Sequence, residues 1–302
     1  MQGINTNHFQ RYLAPAKINL FLHIVGRRAD GYHLLQTVFC LVNLYDVVYL
    51  KVTEISLIKR VSEINNVAEE DDLCVRAAKL LQVHTGCTSG VEIAVEKNIP
   101  MGGGLGGGSS DAATVLMALN NLWKCGLNSK ELQALGLQLG ADVPFFIYGQ
   151  NAWAEGIGEH FQPVNLPKKY YVLITPDINV STREVFASQQ LTKNTNPKTM
   201  LDFSEALNCS TVFLGDEFSN TLEHVVRKQY SEVDSCLKAL AKLATPRMSG
   251  SGGTVFAEFD SEMSAKDALF AAQAELKQAS VALKMAVVVS SLNEHPLLNL
   301  EC

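Results

Sequence analysis

The chain has 302 residues, 47% of them apolar and 19% charged, enough for about two domains with a substantial core. Its formal net charge of −6 excludes a global attraction to nucleic acid or to an anionic membrane, so any anion site must be local. Seven cysteines, odd in number and never spaced Cys-x-x-Cys, point away from a disulfide framework or a zinc site and fit a reducing compartment.

The polar first dozen residues lack the apolar region of a secretory signal, and no run approaches the ~18 to 20 apolar residues of a membrane span. A soluble, cytosolic protein is expected. Further on, Ile18, Leu20 and Leu22 alternate with Asn19, Phe21 and His23, which reads as a strand with Lys17 at its start. Asp30 and Gly31 mark a turn before a second apolar run. Taken alone, Lys17, Asn19, Tyr32 and His33 read as ordinary strand and surface residues. Residues 44–58 have strand character and no legible chemistry. The acidic residues at 69–72 complement the N-terminal dipole of a helix predicted over 73–83. Lys97 reads first as a solvated surface lysine and second as a contact to a nucleotide.

The densest signal is the stretch Pro100, Met101, Gly102, Gly103, Gly104, Leu105, Gly106, Gly107, Gly108, Ser109, Ser110 and Asp111. It lies between an apolar strand pattern (Val91 to Val95) and helically spaced Ala112, Val115, Leu116 and Leu119. Glycine and serine runs are often linkers. Here the run feeds a helix N-terminus, where unpaired backbone N–H groups and the helix dipole favour an anion and absent Cβ atoms permit close approach, so phosphate is the expected occupant. No lysine occurs between Met101 and Trp123, which excludes a P-loop, and so dense a run meets the Rossmann glycine spacing almost by default. Gly107→Val is expected to crowd the phosphates and leave the fold intact.

Asn128 and Glu131 form a predicted capping box for a helix ending near Gly140. Asp142, ahead of Pro144, reads in isolation as a turn or N-cap aspartate. A boundary is set near residue 165, giving domains 1–165 and 166–302. In the second half, Ser181 and Glu184 suggest a capping box for a short helix bearing Phe186, residues 192–199 a loop, and Ser231 with Asp234 a cap for the helix of Val233, Leu237 and Leu240. A second glycine turn, Gly250 to Gly253, feeds a strand. A helix over 265–276 and a strand over 285–289 follow.

Three segments carry a resemblance: Pro-Ala-Lys-Ile-Asn-Leu with Asp-Gly-Tyr-His at 15–33, the glycine loop, and Leu-Gly-Ala-Asp-Val-Pro-Phe-Phe at 139–146, joined by the second glycine turn. In this order and spacing the chain resembles the GHMP kinases over nearly its whole length. The resemblance implies a two-domain α+β fold with the active site in the cleft between domains, and ATP-dependent phosphorylation of a hydroxyl with Mg2+. It implies that Asp142 is the catalytic base and Lys17 its cationic partner, stabilising the oxygen that becomes negative. Residues 100–110 would cradle the triphosphate, and Ser110 is one candidate metal ligand in an otherwise unassigned set. The Gly-Tyr-His segment further implies a small-molecule substrate linked to cytidine diphosphate, a methylerythritol with a tertiary hydroxyl. Tyr32 and Phe186 would flank the base, His33 would read its polar edge, and Asn19 would orient the alcohol or the lysine. Family members tend to carry Asn where this chain has Asp72, near the adenine. Two other readings stay open: another small-molecule kinase of the superfamily, and a noncatalytic nucleotide-binding protein of the same fold.

Overall fold

The structure, a computed structural model, describes residues 8–63, 67–191, 195–209 and 215–299. Most of the polar start of the chain and the first three residues of the loop predicted at 192–199 lie outside the described residues. The elements run in the order β1 (Gln10–Arg27), β2 (His33–Thr53), β3 (Ile58–Arg60), α1 (Leu73–Thr85), β4 (Gly90–Glu96), α2 (Gly107–Leu122), α3 (Ser129–Leu137), α4 (Val143–Tyr148), β5 (Ala152–Glu155) and β6 (His160–Pro163). They continue as β7 (Tyr170–Pro176), α5 (Thr182–Ala187), α6 (Met200–Cys209), α7 (Glu223–Gln229), α8 (Ser231–Ala241), β8 (Pro246–Met248), β9 (Val255–Phe259), α9 (Glu262–Gln278) and β10 (Leu283–Ser290).

Strands of the first half form one sheet in the order β3-β4-β2-β5-β6, with β1 paired to β2. Strands of the second half form another, β10-β7-β9-β8. Pairing is antiparallel throughout except between β3 and β4. Helices α1 and α2 cover the first sheet around Leu81, Val115, Leu116 and Leu119, and α8 and α9 cover the second around Val233, Leu237, Ala268 and Leu276. A third cluster joins the halves, with Ile18, Leu20 and Phe21 of β1 packed against Tyr171, Leu173 and Phe256. The alternation in β1 therefore separates two faces that are both buried: Asn19, Phe21 and His23 are as sequestered as Ile18, Leu20 and Leu22. After β10 the chain returns to the first half, where the Leu292 N–H donates to the Leu41 carbonyl (2.8 Å) and the His295 N–H to Gly149 (2.7 Å).

Local chemistry explains most helix boundaries. Asn128 and Glu131 form the full capping box of α3, although that helix ends at Leu137 rather than near Gly140. Only half of the second predicted box forms: the Ser181 hydroxyl accepts from the Glu184 N–H. The predicted cap at Ser231 is absent. Ser231 is the first residue of α8, its hydroxyl bonds Glu232, and Asp234 pairs with Arg227 and Lys238. The helix begins one residue before the expected cap allows, and the Tyr230 carbonyl accepts the Asp234 N–H (3.3 Å). Asp72 caps α1 by accepting from the Cys74 N–H (2.8 Å) and pairs with Arg60 (3.0 Å), so both of its oxygens are already engaged.

Candidate active site

The glycine loop closes onto both halves through its backbone. Gly106 is the N-cap of α2 with φ of 73°, and a Cβ there would meet the Phe146 ring at 2.8 Å and Lys17 Cγ at 3.2 Å, so only glycine fits. Beside it, the Leu105 carbonyl accepts from the Lys17 N–H (3.0 Å), which fixes the middle of β1 to the loop, since the strand begins at Gln10 rather than at Lys17. From the other half, the second glycine turn comes so close that a Cβ on Gly252 would lie 2.2 Å from the Gly104 nitrogen. The Thr254 N–H donates to the Gly103 carbonyl (3.2 Å), and Ser249 donates its hydroxyl to Gly104 (3.1 Å) while accepting from the Asn19 N–H (3.2 Å). Asn220 braces the turn by donating to Met248 and Gly250 (2.8 and 2.7 Å). The first-turn N–H groups of α2 have no partners within the helix, leaving an anion site by geometry.

A side chain at Gly107 would strain the packing behind the loop rather than leave the fold intact. A Cβ there would point inward, 3.0 Å from the Ile99 side chain and 3.2 Å from the Asp46 carboxylate. Lys97 likewise departs from its surface reading. Its ammonium is mostly buried between the carboxylates of Asp46 and Asp111, and Asp46 also accepts from the Asn98 and Ile99 N–H groups just ahead of the loop. Burial acts to lower the Lys97 value, and the two carboxylates more than reverse this, holding it above its ordinary range. One cation is thus shared by two acids. Burial pushes the Asp111 carboxyl up to about 7 against the pull of Lys97, with Asp46 and Asp72 adding in the same direction as burial.

Lys17 is 3% exposed, and its ammonium lies 3.5 Å from the Asp142 carboxylate. It also donates to Asn19 Oδ1 (2.7 Å) and sits 5.2 Å from the centroid of the Phe39 ring. Asn19 in turn donates to Thr37 (2.9 Å), whose hydroxyl donates to the Phe21 carbonyl. Lysine direction is therefore set by an amide that is itself held. Asp142 occupies the N-cap position of α4 in right-handed backbone geometry, and its side chain makes no capping bond there. The carboxylate faces Lys17 instead.

Lys17, Asn19 and Asp142 open into a cavity of about 870 Å³ that reaches Tyr32, His33 and Phe186. His33 and Phe186 stack with centroids 5.4 Å apart and planes at 28°. Tyr32 stands at the mouth, 61% exposed, with no ring contact among the described residues. The structure thus gathers the predicted Lys17, Asn19, Tyr32, His33, Asp142 and Phe186 around one cavity, with Gly104 and Ser109 of the loop along its wall. Sequence reasoning passed over Thr37, Ser249 and Asn220, although Thr37 lies within the segment that drew attention to Tyr32.

Residues 72–150 match the GHMP kinases N terminal domain and residues 200–278 the GHMP kinases C terminal domain. A solved homoserine kinase from Cytophaga hutchinsonii, only 16% identical, shares the fold with a TM-score of 0.74 over 98% of both chains. Fold and site therefore define a small-molecule kinase of the GHMP type, a two-domain α+β protein whose phosphate donor is ATP. The chain is 48% identical over 293 residues to the 4-diphosphocytidyl-2-C-methyl-D-erythritol kinase of Paraburkholderia phytofirmans, covering 97% of each. It is 51% identical over 257 residues to the kinase of that name from Xanthomonas axonopodis pv. citri, covering 85% of this chain and 84% of the relative. A crystal structure of 4-(cytidine 5'-diphospho)-2C-methyl-D-erythritol kinase matches with a TM-score of 0.78 at 33% identity, over 93% of this chain and 99% of that one. This chain belongs to the 4-diphosphocytidyl-2-C-methyl-D-erythritol kinase family.

Proposed function

We infer that the chain transfers the γ-phosphoryl group of ATP to the 2-hydroxyl of 4-diphosphocytidyl-2-C-methyl-D-erythritol, giving the 2-phosphate and ADP, a step of non-mevalonate isoprenoid precursor synthesis. The observation that carries this reading is the Lys17–Asp142 pair, 3.5 Å apart, in the same cavity as Tyr32, His33 and Phe186. Asp142 accepts the hydroxyl proton as the oxygen attacks the γ-phosphorus and the bond to the β-phosphate oxygen breaks. Lys17, held by Asn19, stabilises the oxygen as it becomes negative. A tertiary hydroxyl is hindered and weakly acidic, so alignment contributes much of the acceleration, and here the lysine backbone is hydrogen-bonded to the phosphate loop through Leu105.

Residues 100–110 hold the triphosphate through backbone N–H groups. Bound beside the triphosphate, Mg2+ would neutralise phosphate charge. The Ser110 hydroxyl suits this ion: it is fully buried at the loop, without a hydrogen-bond partner among the described residues. Tyr32 and Phe186 take the cytosine ring, and His33 reads its edge. Residues 1–165 and 166–302 serve as the two domains, and a cytosolic location suits a kinase of free nucleotide substrates. No described helix is long and apolar enough to cross a membrane.

A coupled ADP-release assay with purified protein tests the reading. ADP release should require the cytidylated substrate and be absent with homoserine, mevalonate or galactose. Equal release with one of those alcohols would make the chain a different kinase of the superfamily, and ATP binding without release on any substrate would make it noncatalytic.

A further inference from the structure

We propose that Arg27 and Arg183 form a two-arginine clamp for the diphosphate of the substrate, setting its affinity without entering the chemistry. The proposal rests on the cytidylated substrate inferred above. Such a substrate places two phosphate charges between the base and the reacting alcohol. Of the ionic side chains lining the cavity, Lys17 is paired with Asp142, and Asp30 is paired with Arg28 at 2.8 Å. Arg27 and Arg183 line the same cavity with no carboxylate partner among the described residues.

Both are placed along the required path. The Arg27 Nε donates to the Gly31 carbonyl (3.1 Å), which anchors the guanidinium against the turn that presents Tyr32, and its outer N–H groups have no hydrogen-bond partner among the described residues. Arg183 is the second residue of α5, three residues before Phe186, and its neighbour Thr182, the first, is hydrogen-bonded to Ser251 of the second glycine turn (2.9 Å). Helix α5 therefore runs from the phosphate-loop side of the cavity to the base side, with Arg183 between. Guanidinium groups match phosphate oxygens bidentately, and two unpaired cations balance the two charges of a diphosphate. Because Arg27 is the exposed last residue of β1 and Arg183 is exposed on a short surface helix, their side chains are not needed to hold the core.

The test compares Arg27→Ala, Arg183→Ala and Arg183→Lys with the wild type. Calorimetry measures CDP and cytidine binding, and steady-state assays measure the cytidylated substrate and ATP. Each Ala variant should weaken CDP roughly tenfold, the loss of about one charge-assisted hydrogen bond, and raise KM for the cytidylated substrate to match. Cytidine affinity, kcat and KM for ATP should stay unchanged, and Arg183→Lys should recover part of the loss. Unchanged CDP affinity, or equal losses for CDP and cytidine, overturns the clamp, since the arginines would then only support the base pocket. The binding arm needs no turnover, so a wild type that binds CDP more tightly than cytidine yet phosphorylates nothing would overturn the kinase reading and leave the clamp standing.

Discussion

The two ends of the cavity are built differently. At the reacting end, Lys17 is 3% exposed, its backbone is bonded to the glycine loop, and two glycine turns meet at backbone contact distance. At the base end, Tyr32 is 61% exposed, and the remaining contacts come from a turn and the six-residue helix α5. One end is defined by where the backbone can go, the other by which side chains reach in. Substitutions at the reacting end should therefore alter turnover or folding, whereas substitutions at the base end should alter KM.

The largest effect that would sharpen this contrast is at Asp142. Asp142→Asn preserves shape and removes the base, so kcat should fall by roughly 10²-fold or more while calorimetry still detects both substrates. Near-normal turnover with chemistry rate-limiting would reduce Asp142 to an orienting group, because a loose phosphoryl-transfer transition state can proceed by alignment alone. Next comes Gly252→Ala. Its methyl group would overlap the Gly104 and Gly103 backbone, at 2.2 and 2.3 Å, where no side chain can yield. Thermal unfolding should show a loss of about 1–3 kcal/mol, and ATP affinity should fall with it. An unaffected Tm would mean that the turns are not in contact. At the base end, Tyr32→Ala should raise KM for the cytidylated substrate several-fold, since ring stacking is worth on the order of 1 kcal/mol, and spare ATP and kcat. An unchanged KM would remove Tyr32 from the base site.

The smallest effect is a pH dependence behind the loop. Asp111, raised to about 7, binds its proton more tightly in the folded chain than in the unfolded chain, so its stabilising contribution is full at low pH and is lost as pH rises through about 7. Buried His23 and His295, lowered to about 4 and about 3 chiefly by desolvation, act in the opposite sense: their contribution is present above the ordinary histidine value and lost as pH falls. Asp111→Asn isolates the first term. The Tm of Asp111→Asn relative to wild type should rise between about pH 5 and pH 8, and a constant difference would show that Lys97 keeps Asp111 ionised throughout.

The same contrast explains what the sequence made legible. The glycine loop stands out because a backbone-defined site demands glycine in a short run beside strong strand and helix periods, whereas Lys17 and Asp142 read as ordinary residues alone and were singled out only by the resemblance of their segments to the GHMP kinases. Lys97 was misread because its burial depends on Asp46, 51 positions away, and on Asp111, 14 positions away, neither of which marks Lys97 locally. Gly107→Val was expected to leave the fold intact, yet a run cannot tell that a side chain at this position would press on Ile99 and Asp46. Ser231 met the rule for a cap, but the helix starts one residue earlier, with the Tyr230 carbonyl accepting the Asp234 N–H that Ser231 would have capped, while the Asp234 carboxylate pairs with Arg227 and Lys238. Ser249 acts through contacts between the halves, while Thr37 and Asn220 hold partners 16 to 30 positions away within their own halves, and none of the three leaves a short-range trace.

The central claim is that Lys17 and Asp142 act as one unit on one hydroxyl. A double-mutant cycle on kcat with the cytidylated substrate, using Lys17→Met, Asp142→Asn and the double variant, tests it most directly. The double variant should be little slower than the slower single variant, because residues that act together are not additive. A double variant slowed by the full product of the two single effects would contradict the claim and leave the 3.5 Å pair as two neighbours with separate roles.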